Sequence, residues 1–233
     1  MFKLGRLKKM AETTKDSSYV LYSYWRSSCS WRVRIALEWK GIEYEYRAIH
    51  LVADGGKQFK DSYKAINPNQ RVPTLVVNDH AIPQSSAILE FLEETHPDKP
   101  LLPRDSFNRA QIRNLCALIG SDIQPIQNLM VQQKAMEDFP EDQRAAKKMA
   151  WGRFWVERGF DALEQELAKT AGTYCFGDEI TLADLYLVPQ IYNANRVDVD
   201  MAKYPTIVRI AAGLEAVPAF QKAHPSKQPD AVQ

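Results

Sequence analysis

Apolar and polar positions are patterned differently in the two halves of the chain. Residues 19–24 (YVLYSY) are dense in aromatic and branched side chains and predict a strand. Ser27-Ser28-Cys29-Ser30 follows, and then Trp31, Ile35 and Trp39 recur at i, i+4 and i+8 up to Gly41. That spacing predicts a helix of about ten residues, starting at the serines and stopping at the glycine. Residues 43–49 (EYEYRAI) alternate polar and apolar and predict a second strand. Strand, helix and strand in this order imply a right-handed crossover and a parallel pair. Residues 72–77 predict a third strand, Asn78-Asp79 a turn, and 80–82 a short fourth strand. Pro73 opens its strand, where a missing N–H is tolerable. Gln84-Ser85-Ser86 then starts a helix with Ala87, Ile88, Phe91 and Leu92 on its apolar face.

This β-α-β then β-β-α order is that of a thioredoxin-like α/β domain. After it, Pro97, Pro100 and Pro103 punctuate Leu101-Leu102, which reads as a linker with an apolar anchor. Residues 109–130, 141–169, 181–195 and 204–222 have helical spacing, and no convincing strand follows Asn108. Thr181 and Asp184 form a capping-box variant, with Ile180 and Leu185 placed as its hydrophobic staple. The expected organisation is a flexible leader (1–18), a thioredoxin-like domain (19–102), an all-helical domain (108–223) and a tail (224–233).

Composition narrows the function classes. The 233 residues are 45% hydrophobic and 25% charged, ordinary for a folded soluble protein. Thirty basic residues against 29 acidic ones lack the basic excess of a nucleic-acid binder. No apolar run approaches the roughly 18 residues of a membrane span. Cys29, Cys116 and Cys175 are odd in number and far apart, and His50, His80, His96 and His224 show no ligand spacing. Neither a disulfide framework nor a metal site is expected, and a reducing cytosol fits. The first ten residues (MFKLGRLKKM) carry four basic residues and no acid, so mitochondrial targeting stands beside a plain disordered leader.

The chemistry centres on Ser27-Ser28-Cys29 at a helix start. Helix N-termini offer unpaired N–H groups and a partial positive charge worth about 0.3–1 kcal/mol to an anion. A hydroxyl bonded to a thiolate adds about 1.5–3 kcal/mol. Together these populate a thiolate near neutral pH, whether the thiol belongs to Cys29 or to a ligand. The plain alternative makes Ser27 an N-cap and Cys29 a small packed residue. Gln84-Ser85 is open in the same way, as a cap or as a carboxylate site. Arg34 reads as a surface or ion-paired residue and Arg26 as structural. Arg196, taken alone, reads as a surface residue.

The run from Tyr22 to Leu37 (YSYWRSSCSWRVRIAL) strongly resembles the signature of zeta-class glutathione S-transferases, the maleylacetoacetate isomerases. Asn67-Pro68, the 71–75 stretch RVPTL, Gln84-Ser85, the 124–129 stretch QPIQNL, the 177–185 stretch GDEITLADL and the tail residues His224-Pro225 and Gln228-Pro229-Asp230 match in order. The resemblance covers the chain from about residue 19 onward. It implies a thioredoxin-like domain packed on a helical domain, working as a homodimer with glutathione. Pro73 would be preceded by a cis bond, and the Val72 backbone would pair with the cysteinyl part of glutathione. Gln84 and Ser85 would hold the γ-glutamyl carboxylate, and Gln58 would lie near the glycyl end. The Ser27 hydroxyl would face the sulfur, with Ser28 and Cys29 completing the catalytic set and Ser30, Trp31 and Arg32 lining the cofactor pocket. Gln124 and Asn128, with Leu129 and Met130, would reach in from the helical domain to bind the cofactor. Arg196 would grip the carboxylate of a small organic acid.

The implied activity is glutathione-dependent cis-trans isomerisation of maleylacetoacetate to fumarylacetoacetate in tyrosine and phenylalanine catabolism, with transferase and α-halo acid dehalogenation activities beside it. Other readings stay open: a general detoxifying conjugating enzyme, a thiol oxidoreductase acting through Cys29, and a non-catalytic glutathione-fold interaction module. Two departures from the pattern stand out. Pro83 precedes Gln84, and residues 132–148 are long and charged, which predicts a helix break or an extended loop at Pro140.

Overall fold

The structure is a computed structural model that describes residues 18–232. The expected leader, with its targeting reading, lies outside the described residues apart from Ser18. β1 (Tyr19–Ser23) turns Tyr19, Leu21 and Ser23 inward. α1 (Ser28–Lys40) is capped by Ser27 at its start and ends at Gly41, whose φ of 70° suits a residue without Cβ. β2 (Glu45–Ala48) returns parallel to β1, as the crossover requires. β3 (Thr74–Val77) and β4 (His80–Pro83) form an antiparallel hairpin, and the sheet order is β2-β1-β3-β4. Asn78 and Asp79 make the turn with φ of 48° and 67°. β3 begins at Thr74, two residues later than the pattern predicts, and the Val72–Pro73 bond before it is cis. Pro83 sits on the edge strand, where its missing N–H leaves no gap in the ladder.

A four-residue helix, α2 (Asp61–Lys64), lies between β2 and β3, too short to announce itself by periodicity. α3 (Ser85–Thr95) closes the first half. The helix expected over 109–130 is not continuous. α4 (Ser106–Ala117) runs into a π-helical stretch (Leu118–Ile123), and α5 (Leu129–Ala135) starts after a break. The widened turn lies against α6 (Glu141–Thr170) at Gly159, where a Cβ would collide with the Ile123 side chain. The expected break at Pro140 is present as the short turn between α5 and α6. α7 (Leu182–Arg196) carries the predicted capping box of Thr181 and Asp184. The helix expected over 204–222 splits into α8 (Pro205–Glu215) and α9 (Pro218–Ala223), with Pro218 in the first turn of the second piece.

The two halves share one core. Leu21, Ile35, Leu75 and Ile88 from the first join Leu163, Leu185, Ile207 and Phe220 from the second. α1 stands at its centre, packed on α3, α7 and α9. This burial corrects the reading of Arg34, which is 0% exposed and has no ion-pair partner among the described residues. Its guanidinium donates instead to Ala223 O (3.1 Å), Ser23 Oγ (3.2 Å), Tyr24 O (3.4 Å) and Trp25 O (2.9 Å). Burial lowers its pKa to about 10, so it stays cationic at neutral pH. From the tail, Asp230 accepts the Trp25 N–H at 3.1 Å and the Tyr46 hydroxyl at 2.7 Å. Arg34 and Asp230 thereby hold the loop that leads into Ser27.

Candidate active site

Ser27 is where strand, loop and helix meet. Its Oγ accepts the Ser30 N–H at 3.2 Å, which is the N-cap bond. A hydroxyl has a proton to donate as well as lone pairs, so capping leaves the Ser27 O–H free for a ligand. The cap reading and the functional reading are therefore compatible. No acidic residue stands in the first turn of α1 to neutralise the positive helix end.

The serine opens onto a cavity of about 480 Å³ lined from both halves of the chain. Ser27, Cys29 and Arg32 face it, whereas Ser28, Ser30 and Trp31 do not line it. Their side chains turn away from it. The helix turns each successive residue about 100° around its axis. Ser28 and Ser30 are buried at 5% and 0% exposure, and Trp31 sets its ring edge-on against Tyr192 and His224, at 5.7 and 5.2 Å. Ser30 contributes through its backbone N–H to the cap. Cys29 is a half-buried free thiol, and Cys116 and Cys175 are buried and free.

The opposite wall comes from the loop before β3. The β1–β3 ladder ends at Tyr22–Thr74, so Val72 and Pro73 lie beyond it, and both line the cavity. Tyr63 Oη and Asn67 Nδ2 both donate to Arg71 O, at 2.6 and 2.8 Å, and brace the turn. Gln84 has φ 71° and ψ 120°, a conformation that L residues adopt only under constraint. It places Ser85, the first residue of α3, in the lining. Gln58 is 5% exposed, and its Oε1 has no hydrogen-bond partner. Gly56 packs over it at φ 98°, where a Cβ would lie 2.6 Å from Gln58 Nε2.

Gln124, Asn128, Leu129 and Met130 line the cavity from the helical half. Asn128 Oδ1 caps α5 by accepting the Met130 N–H at 3.2 Å, which leaves its amide N–H₂ to the ligand side. Arg196 does not line the cavity. It is the last residue of α7, whose cavity-lining residues are Leu182 and Tyr186. Ten residues of helix carry it about 15 Å along the axis from Tyr186. It stands within the field of Arg26, the residue before Ser27. Burial first, and then the Arg26 charge, holds its pKa below the usual arginine range.

Tyr186, Cys116 and Gly120 line the cavity and were not anticipated. The Tyr186 ring lies 4.0 Å from the Arg32 guanidinium carbon, and a Cβ on Gly120 would fall 2.9 Å from Tyr186 Cε1. Burial pushes the Cys116 thiol far up, so it stays protonated. The i, i+4 pairs Leu182/Tyr186 and Cys116/Gly120 were the available signal, indistinguishable locally from core spacing.

Comparison with known proteins bears on this geometry. Residues 26–95 match the family described as "Glutathione S-transferase, N-terminal domain", and residues 144–219 match "Glutathione S-transferase, C-terminal domain". The chain is 51% identical over 216 residues to a maleylacetoacetate isomerase of Dictyostelium discoideum, covering 93% of this chain and 97% of that one. A holo structure of a maleylpyruvate isomerase, described as a bacterial zeta-class glutathione S-transferase, superposes with TM-score 0.87 at 44% identity, covering 91% of this chain and 100% of that one. A maleylacetoacetate isomerase of Methylobacterium extorquens AM1, with bound malonate and glutathione, superposes with TM-score 0.85 at 37% identity, covering 92% and 100%.

Proposed function

The chain belongs to the glutathione S-transferase family, in its zeta class, and from that membership we propose how its cavity works. It is a glutathione-dependent maleylacetoacetate isomerase that converts maleylacetoacetate to fumarylacetoacetate. The observation that carries the site assignment is the Ser27 hydroxyl, capped to Ser30 on one side and free to donate into the cavity on the other.

The lining fits a tripeptide thiol. Val72 offers unpaired main-chain groups to an extended peptide, as a neighbouring strand would. Gln84 and Ser85 stand at a helix start, which suits the γ-glutamyl carboxylate. Gln58 turns an unpartnered amide oxygen toward the remaining end. Bound glutathione supplies a thiolate that adds reversibly to the cis double bond, so that this bond turns as a single bond before the thiolate departs. The Ser27 hydroxyl donates a hydrogen bond to the sulfur, and the N–H groups of the first turn of α1 add their dipole. Cys29 shapes the pocket beside them. The same donors stabilise charge that develops on the substrate oxygens. Gln124 and Asn128 hold the substrate from the helical side. Arg26 and Arg196 have no ion-pair partner among the described residues, and their field draws a dianionic substrate toward the cap. The working unit is a homodimer in the cytosol, for which three free cysteines suit a reducing compartment. Gel filtration checks the dimer.

The test is isomerisation of maleylacetone, with and without glutathione, by wild type and Ser27→Ala. Activity should require glutathione, and the variant should lose about 100-fold or more in kcat/KM. Full activity in Ser27→Ala, or turnover without glutathione, overturns the assignment.

A further inference from the structure

Arg32 is the one buried charge of the cavity lining, and the reaction leaves it without a task. It is 2% exposed and lines the cavity. Its Nη1 lies 3.5 Å from Ser85 Oγ, and its guanidinium stacks on the Tyr186 ring at 4.0 Å. Nε and Nη2 have no hydrogen-bond partner among the described residues. The arginines that pair with carboxylates there are Arg47, Arg113 and Arg153. Glu90, the acid in the same lining, is committed to Arg113 through contacts of 2.8 and 2.7 Å.

A buried cation with no anion beside it is costly. An aromatic face offsets only part of that cost. What completes the balance is a negative charge brought by the ligand, and the position of Arg32 says which one. The cation touches Ser85 at the start of α3. Its nearest hydroxyl is thus the one assigned to the γ-glutamyl carboxylate, not the Ser27 cap.

We propose that Arg32 is a positioning residue for that carboxylate and acts through Ser85. Nη1 donates to one lone pair of Ser85 Oγ, and the Ser85 hydroxyl turns its own proton to the carboxylate. A charged donor behind a hydroxyl strengthens the bond the hydroxyl gives. Tyr186 fixes the guanidinium from the other side, and Gly120 leaves room for that ring. The proposal rests on the glutathione reading above and deepens it.

Calorimetry with two ligands tests it. One is glutathione, and the other is γ-aminobutyryl-cysteinylglycine, the same tripeptide without the α-carboxylate. Arg32→Gln should weaken glutathione by about 30-fold, the scale of one charge-assisted bond, and leave the truncated ligand within about threefold of wild type. Arg32→Lys, which keeps the charge, should bind glutathione more tightly than Arg32→Gln. Ser85→Ala should show the same selectivity between the ligands without disturbing the Arg32 stack, so the test survives a poorly folding Arg32 variant. Equal weakening of both ligands by Arg32→Gln and by Ser85→Ala assigns a structural role and overturns the proposal, as does unchanged glutathione binding. A wild type that binds neither ligand overturns the glutathione reading, and this proposal with it.

Discussion

The two flanks of α1 put the same residue type to opposite uses. On the flank toward the tail, Arg34 is buried and binds Ser23, Tyr24, Trp25 and Ala223. On the cavity flank, Arg32 is as deeply buried and touches Ser85 and one aromatic ring. The first closes a structure, and the second leaves charge available to a ligand. Burial alone does not separate them; the list of acceptors does.

Substituting methionine at each position breaks this comparison most directly. Arg34→Met removes the donor from three main-chain carbonyls and should cost about 4 kcal/mol of stability, read as a lower urea midpoint at unchanged slope. Arg32→Met removes an uncompensated charge and should change stability by less than about 1 kcal/mol while weakening glutathione binding. Equal losses of stability would erase the distinction. A smaller effect is expected at the strap. Asp230→Ala leaves the Trp25 N–H and the Tyr46 hydroxyl without their acceptor and should cost about 2 kcal/mol, with Asp230→Asn losing less because one acceptor remains.

The smallest effect is in pH. Burial, and then the Lys40 charge, holds His96 below the ordinary histidine pKa. Burial, then Arg34 and then Lys227, does the same to His224. As pH falls through about 6.5 the unfolded chain takes up these protons before the folded one does. Stability from these two groups is therefore complete above that pH and declines below it. Urea midpoints at pH 7.5 and 5.5 check the direction, and His224→Gln should flatten the difference, since His224 stands on the Arg34 flank.

Much of the first half was legible because its signals are local. Strand alternation, the Ser27 cap, the Gly41 stop and the Asn78-Asp79 turn each involve neighbours in sequence. The fate of α1 was not legible. A stripe of Trp31, Ile35 and Trp39 implies one wet face, but α3, α7 and α9 cover the helix on nearly every side. Arg34 looked superficial because one of its acceptors, Ala223, lies 189 residues away. The resemblance names Ser28, Ser30 and Trp31 together with Ser27 and Cys29, while the helix disperses contiguous side chains around its axis, so only Ser27, Cys29 and Arg32 of that run line the cavity. The breaks after Ala117 and before Pro218 depend on how the pieces pack, and apolar periodicity runs through both. Tyr186 was hidden for a related reason. A helical residue over a cavity and one over a core have the same spacing.

The strap from Asp230 to Trp25 spans 205 positions of sequence. A ribosome adding roughly 5–20 residues per second needs about 10–40 seconds to cover that distance. By Pro83 the sheet strands and α1 have been made, and for the rest of that interval the serine loop lacks its Asp230 contact. A nascent chain of this protein can therefore carry the full motif and still have no working thiol site, and assembly of that site marks the arrival of the tail.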